Sequence, residues 1–354
     1  MRRLLVLVTA VLAVFGLLAG CTRRQTSEAP ANDQGPAAQL RLGYLPNITH
    51  AAALIGVERG LLAGQLGTTA LSAQTFNAGP DAVNALLGGS LDVAFLGPDP
   101  AISAFSKSGG EAVRLVAGAA SGGVQLVVRP EITAPGQLPG RQIATPQLAN
   151  TQDIAFKTWL AGQHLPIGTG PGDVGVVNID NAQTVNAYRT GQLDGGWLPE
   201  PYASRLVAEA GAHMLLDEAA LWPEGRFPTT VLIVRTHYLR QHPQTVTALL
   251  RGLLQAEDYA RADPAGAKAA ANSALGKAAG KPLAQPVLER AWSNITITTD
   301  PLAARFPRLA ANAVTAGVAT SAPDLHGFVD LGPLNAVRAA AGRPPVDPAG
   351  LDRR

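Results

Sequence analysis

The sequence predicts an α/β chain of two lobes, each built on a sheet of parallel strands covered by helices. From residue 40 onward, short apolar runs alternate with stretches of helical period, the pattern of successive βαβ units. Two breaks rich in proline and glycine, at 129–139 and 222–228, bracket one complete set of these units. The length of 354 residues exceeds what one compact core usually needs, so two lobes of ordinary size are expected.

Taken in order, residues 40–45 read as a strand, followed by helix 51–62 and strand 71–76. Pro80 opens the next helix, where its missing N–H costs nothing. Residues 92–96 form a buried strand, a helix starts near Pro100, and 113–117 and 125–128 are two more strands. The break at 129–139, with three prolines and a glycine, reads as a crossing between lobes. The second set comprises strand 142–145, helix 151–161, strand 174–179, helix 182–189, strand 195–198, helix 202–210 and strand 213–216. After the second break, the β-branched strand 229–234 returns to the first lobe, and the rest is mainly helical, including 243–262 and 284–292. Lobe 1 is therefore expected at 39–128 and 229–354, and lobe 2 at 129–228. Two short crossings beside a cleft suit hinge closure on a ligand. Two rigid domains in sequence are the competing reading.

The N-terminus carries its own signal. Arg2 and Arg3 precede an apolar, uncharged run at 4–20, the layout of a secretory signal and short for a spanning helix. The run ends in Leu18-Ala19-Gly20-Cys21, which resembles the lipobox of bacterial lipoproteins. That resemblance implies a signal peptide over 1–20 and a diacylglycerol on the Cys21 thiol. An uncleaved anchor helix is the rival. Cys21 is the only cysteine, which excludes an internal disulfide. Residues 21–38 lack periodicity and read as a lipidated tether. The chain is thus expected outside the cytoplasm, lipid-anchored to a bacterial membrane, in the periplasm or at the cell surface.

Apolar residues make up 47% and charged residues 15%, enough for sizeable cores and too few charges for disorder. The net charge is +2 with no clustered basic face, which argues against nucleic acid as a partner. There is no nucleophile elbow, no His-Glu-x-x-His, no phosphate-cradling loop and no Cys/His set at metal spacing. Nothing recommends an enzyme, a cofactor or a metal.

In open parallel sheets, ligands bind beyond the carboxyl ends of the strands, where helix N-termini direct free N–H groups. Five strand-exit loops follow from this rule. The first contains Pro46, Asn47 and His50; the second, Gly97 and Asp99; the third, Ser121, Gly122 and Gly123. The fourth contains Asn150, Thr151 and Gln152, and the fifth Trp197 and Glu200. Asp99, Asn150 and Glu200 serve equally well as helix caps, His50 as a solvated loop residue, and Trp197 as core.

At this point the residues resemble a family. The stretches LRLGYLPNITHAAALIGVERG, FNAGPDAVNALLGGSLDVAFLGPDPAISAF, ATPQLANTQDIAFKTWL, DGGWLPEPYASRLV and FPTTVLIVR look, in that order, like solute-binding proteins of ABC importers. The similar group is the aliphatic-sulfonate, taurine and nitrate type, related to binders of thiamine-pyrimidine precursors. The resemblance implies a type II periplasmic-binding fold, a small-molecule ligand between the lobes, and an ABC permease with its ATPase as partners. It implies a sulfonate-like solute, with a thiamine-pyrimidine precursor, riboflavin or a nitrate-type solute as alternatives, and more remotely a thiamine-pyrimidine-forming enzyme. The ligand cleft falls on the same five loops. They contain no Arg or Lys to match a sulfonate, and Arg226 is the cation expected to enter from the hinge. Substituting Cys21→Ser is expected to abolish incorporation of labelled palmitate and release the chain from the membrane fraction.

Overall fold

The computed structural model describes residues 33–352; Cys21, the expected signal and the tether as far as residue 32 lie outside them. The chain runs β1 (Gln39–Tyr44), α1 (Ala51–Glu58), α2 (Leu61–Gln65), β2 (Ala70–Thr75), α3 (Gly79–Leu87), β3 (Val93–Leu96), α4 (Pro98–Lys107) and β4 (Val113–Gly122). It continues with β5 (Val124–Val128), β6 (Gln142–Thr145), α5 (Thr151–Gly162), β7 (Gly175–Asn178), α6 (Asn181–Arg189), β8 (Gly195–Pro199), α7 (Tyr202–Ala210) and β9 (His213–Asp217). Then come β10 (Pro228–Arg235), α8 (Thr236–Gln241), α9 (Pro243–Ala262), α10 (Pro264–Ala279), α11 (Gln285–Ser293), β11 (Ile295–Ile297), α12 (Phe306–Thr315) and α13 (Gly332–Ala340).

Two sheets result, ordered β11-β4-β10-β3-β1-β2 and β7-β6-β8-β5-β9. β1 is parallel to β2 and β3, and β6 is parallel to β7 and β8. The sheets are mixed, however: β10 runs against β3 and β4, and β5 against β8 and β9. β5 and β10 are the strands that follow a crossing. The carboxyl ends of β3 and β8 sit at the junction, because Leu96 pairs with Val231 and Pro199 with Val124. A strand that starts at that junction must therefore run the opposite way.

The first crossing is not where the sequence placed it. β5 lies in the second sheet, so the chain passes between sheets at Gly122-Gly123 and not at 129–139. Both glycines have left-handed φ, +78° and +76°, which costs a residue with a Cβ. The Gly122 N–H donates to Phe227 O at 3.3 Å, and Gly122 O accepts from Thr229 Oγ1 at 2.5 Å, so the two crossings are bonded side by side. The strand expected to return to the first lobe does so as β10.

The core explains why these segments form these elements. β3 is apolar, β5 is apolar but for Gln125, and both are buried along their whole length, as strands covered on both faces must be. α9 packs its apolar side on α1 and α2, α11 lies on α7, and α12 lies on both α4 and α5. The C-terminal helices thus touch both lobes. At the other end, the Gln34 amide donates to Gln241 O at 2.8 Å and the Ala37 amide to Thr245 Oγ1 at 2.9 Å. The expected tether is therefore docked on α8 and α9 from Gln34 onward.

Gly118 lies under the segment that follows β11; its N–H donates to Thr299 O at 2.8 Å, and a Cβ there would overlap the backbone of Asp300 and Pro301. Gly118→Ala is expected to lower stability by about 1–3 kcal/mol, read as a fall in the urea midpoint.

Candidate ligand-binding site

The loop after β1 is a single 3-10 turn. Asn47 is buried and its carbonyl accepts from the His50 N–H at 2.9 Å, while Pro46 is half-buried. His50 Nδ1 accepts from the Leu45 N–H at 3.3 Å. Complete burial pushes the imidazole down to about 3, so the ring is neutral at physiological pH and closes the turn. It is not the solvated loop histidine that an isolated histidine suggests. The Ile48 and Thr49 amides point across the junction and donate to Glu200 O at 3.1 and 3.5 Å.

The second and fourth loops meet. A Cβ on Gly97 would overlap Thr151 Oγ1, and one on Gly79 would overlap Pro100 and reach within 3.5 Å of Asn150 Oδ1. The N-termini of α3 and α4 from one lobe therefore face the N-terminus of α5 from the other. The Asp99 amide donates to Thr151 Oγ1 at 3.3 Å, and Asn150 Oδ1 accepts from the Thr151 amide at 2.9 Å as N-cap of α5. Gln152 is buried in the same turn. Asp153 anchors this loop from below, accepting from Thr145 Oγ1, the Ala149 amide, Asn178 Nδ2 and Lys157 Nζ at 2.8–3.1 Å.

Asp99 has no comparable support. The residue is 4% exposed, and neither carboxylate oxygen has a hydrogen-bond partner. Burial pushes its acid well above the usual carboxylate range, and the nearby charge of Glu218 adds to this; the Thr151 hydroxyl and its own amide pull the other way. Asp99 lines a cavity of about 490 Å³ walled by α4, α5, the end of α12 and the segment after it, which also takes in Ile102, Ser103, Lys107, Ile154 and Lys157. Two lysines from the bodies of the helices thus line the cavity, although the loops have none.

Trp197, Glu218 and Trp222 form a second cluster. Trp197 Nε1 donates to Glu218 Oε2 at 2.7 Å and Trp222 Nε1 to Oε1 at 3.3 Å. Trp197 packs on Phe156 and Trp159, and Trp222 stacks on Phe227 at 5.8 Å. Glu218 is pushed up to about 7 by burial, against the pull of the two indole N–H groups. Sequence reasoning missed Glu218 and Trp222. The strand-exit rule would have found Glu218 had it been applied to β9, whose carboxyl end it follows.

Glu200 is fully buried and its carboxylate is occupied. Oε1 accepts from Arg290 Nη1 at 3.2 Å and Asn294 Nδ2 at 2.6 Å, and Oε2 accepts from the Ser204 amide at 3.0 Å. The helix-cap alternative describes its geometry, with an added cation from α11. Arg290 also reaches Ser204 Oγ at 2.8 Å and Gln125 Oε1 at 2.6 Å. Arg226, the cation expected from the hinge, is exposed and points to Asp300 at 3.7 Å. Ser121 pairs with Pro228 and Thr296 at the end of β4, and the Gly122 N–H is taken by Phe227 O. Among the described residues, no group of three or more His, Cys, Asp or Glu side chains is placed to hold a metal ion.

Two lobes, two adjacent crossings and strand-exit loops turned toward one another make this a type II periplasmic-binding fold. The chain belongs to the NMT1-like family, whose model matches residues 33–275. The taurine-binding periplasmic protein of Escherichia coli (strain K12) is 28% identical over 192 residues, 53% of this chain and 57% of that protein. The match thus spans little more than half of that relative. The alkanesulfonate-binding protein SsuA from Xanthomonas axonopodis pv. citri, bound to MOPS, superposes with a TM-score of 0.64 at 22% identity, over 81% of this chain and 95% of that one. The periplasmic nitrate-binding protein NrtA from Synechocystis PCC 6803 gives 0.70 at 15% identity, over 86% and 89%. At these identities the two structures speak to the fold.

Because Glu218 is protonated more readily when folded than when unfolded, the native chain holds an extra proton between pH 4.5 and about 7. Its contribution to stability is therefore lost as pH rises through that window, by on the order of 3 kcal/mol. Glu218→Gln is expected to flatten the fall of the urea midpoint between pH 5 and 7.5.

Proposed function

We propose that this chain is the extracytoplasmic solute-binding component of an ABC importer. Anchored through Cys21, it captures a small organic solute by closure of its lobes and delivers it to a permease driven by an ATPase. The observation that carries this reading is the meeting of helix N-termini from both lobes, α3 and α4 with α5, beside a cavity of about 490 Å³. Such a junction holds a ligand only when both lobes contribute, which is what capture by closure requires.

The family membership supports the same role, and the taurine-binding relative favours a sulfonate-like solute. The dipoles of the helix N-termini that meet there supply partial positive charge to an oxyanion, roughly 0.3–2 kcal/mol each. Lys107 in the cavity wall adds formal charge, whereas Lys157 is paired with Asp153. The absence of a nucleophile elbow, a metal-spaced Cys/His set or a phosphate loop supports a binder in preference to an enzyme.

The full chain in detergent is expected to gain thermal stability with its solute and to turn nothing over. The gain follows RT ln(1 + [L]/Kd), roughly 2.7 kcal/mol at a hundredfold excess. A panel of alkanesulfonates, taurine, nitrate, thiamine-pyrimidine precursors and riboflavin tests it by melting temperature; no shift with any of them counts against the reading.

A further inference from the structure

We infer that Asp99 is the recognition group of the site and that the captured solute presents a protonated nitrogen to its carboxylate. This deepens the solute-binding reading and rests on it. A carboxyl group removed from water without a hydrogen-bond partner is costly in either protonation state, so such groups are almost always paired. Every other strongly buried acid of the junction is paired. Glu200 has Arg290, Asn294 and the Ser204 amide; Glu218 has two indoles; Asp153 has Lys157 and three further donors. Asp99 alone of these four has both oxygens empty.

Its surroundings explain why no side chain fills that role. Asp99 sits on the first turn of α4 with Pro98 and Pro100 as neighbours, and it faces the first turn of α5 through Thr151. The cations of the same cavity lie elsewhere on the helices. Lys157 is committed to Asp153 at 2.8 Å, and Lys107 is at the far end of α4, some 12 Å along the axis at 1.5 Å per residue. The carboxylate is thus buried, lines the cavity, and is out of reach of both lysines. An ammonium or amidinium entering from the cavity satisfies it, and in a zwitterion the acidic group lies toward Lys107 and Lys157. Inorganic oxyanions, which bring no donor, leave Asp99 unpaired. The site therefore selects by the nitrogen.

The test uses the full chain in detergent. Protein purified from its own host is denatured and the released solute identified by mass spectrometry. In parallel, calorimetry compares three matched pairs: taurine with ethanesulfonate, 3-aminopropylphosphonate with propylphosphonate, and putrescine with 1,4-butanediol. A released solute with a basic nitrogen, or a nitrogen-bearing member that binds at least about 30-fold tighter than its mate, is the expected result. Asp99→Asn is expected to abolish that preference and leave the mate within about threefold. It should also leave the ligand-free melting temperature unchanged or higher, because it removes an unpaired buried acid. A released solute without basic nitrogen, or pairs bound equally, overturns the inference and leaves solute capture standing. A fall of more than about 5 °C in the ligand-free variant makes Asp99 a structural group and overturns it as well. No released solute and no binding by any probe overturns both readings.

Discussion

Where the two sheets join, the carboxylate of Glu200 is shut away from water and gripped by three donors from two different parts of the chain. An acid in such a place is tolerable only while its partners are in position, because removing one leaves an uncompensated charge and costs about 3–5 kcal/mol. Ser204 is supplied by α7, and Arg290 and Asn294 by α11 and the residue after it. The backbone of Glu200 joins in too, donating to Gly123 O at 2.9 Å and accepting from the loop after β1. First crossing, first loop, second lobe and C-terminal tail are thereby locked to one residue. Much else follows from that lock. With β4, β5 and β8 pinned there, the carboxyl ends of the parallel strands in both sheets point at one another. The helices that leave them converge on Asp99.

Three acids near the junction show three solutions to one electrostatic problem. Glu200 stays close to a guanidinium. Glu218 takes two neutral indole donors, weaker than a cation, and burial lifts it to about 7. Asp99 has neither, and burial with Glu218 nearby lifts it well above the usual carboxylate range. The order follows from the donors each side chain meets, since low dielectric magnifies every missing partner. Carboxyl groups whose pKa is raised in this way at a cleft are common at functional sites.

How much of this was legible depends on how local each feature is. The run Val93–Leu96 followed by Gly97, Pro98 and Asp99 carries its strand, its turn and its helix start within seven residues, and the structure has all three. The first crossing was misplaced because two glycines make no visible gap: 113–128 reads as consecutive strands, and only pairing shows that they part at Gly122. The conspicuous prolines of 129–139 lie wholly within the second lobe, between β5 and β6. Arg290 stood in a helix of ordinary amphipathic pattern some 90 residues from Glu200, and nothing in that pattern announces the pairing. Arg226, placed suggestively before β10, turned outward to Asp300. His50 was legible as a residue of the loop but not as a buried one, because the turn is covered by β4 and β10, strands distant from it in the sequence.

Beside the Glu200 lock, two further sets of contacts between the lobes differ in leverage. Those at the crossing are backbone bonds over short reach: Gly122 to Phe227, Glu200 to Gly123, Ile48 to Glu200. Those across the cleft are side-chain contacts, the Asp99 amide to Thr151 at 3.3 Å and Thr158 Oγ1 to Asn312 O at 3.1 Å. In the proposed closure, rotation about the paired crossings scarcely lengthens the first set, which lies at the crossings themselves, and breaks the second. The long, weak bond at Asp99 is therefore the one that a ligand is best placed to reinforce. In the proposed role, a donor delivered to that carboxylate ties α4 to the closed arrangement where the chain's own contacts are thinnest, and the carboxylate that is unpartnered in the empty cleft becomes paired in the filled one.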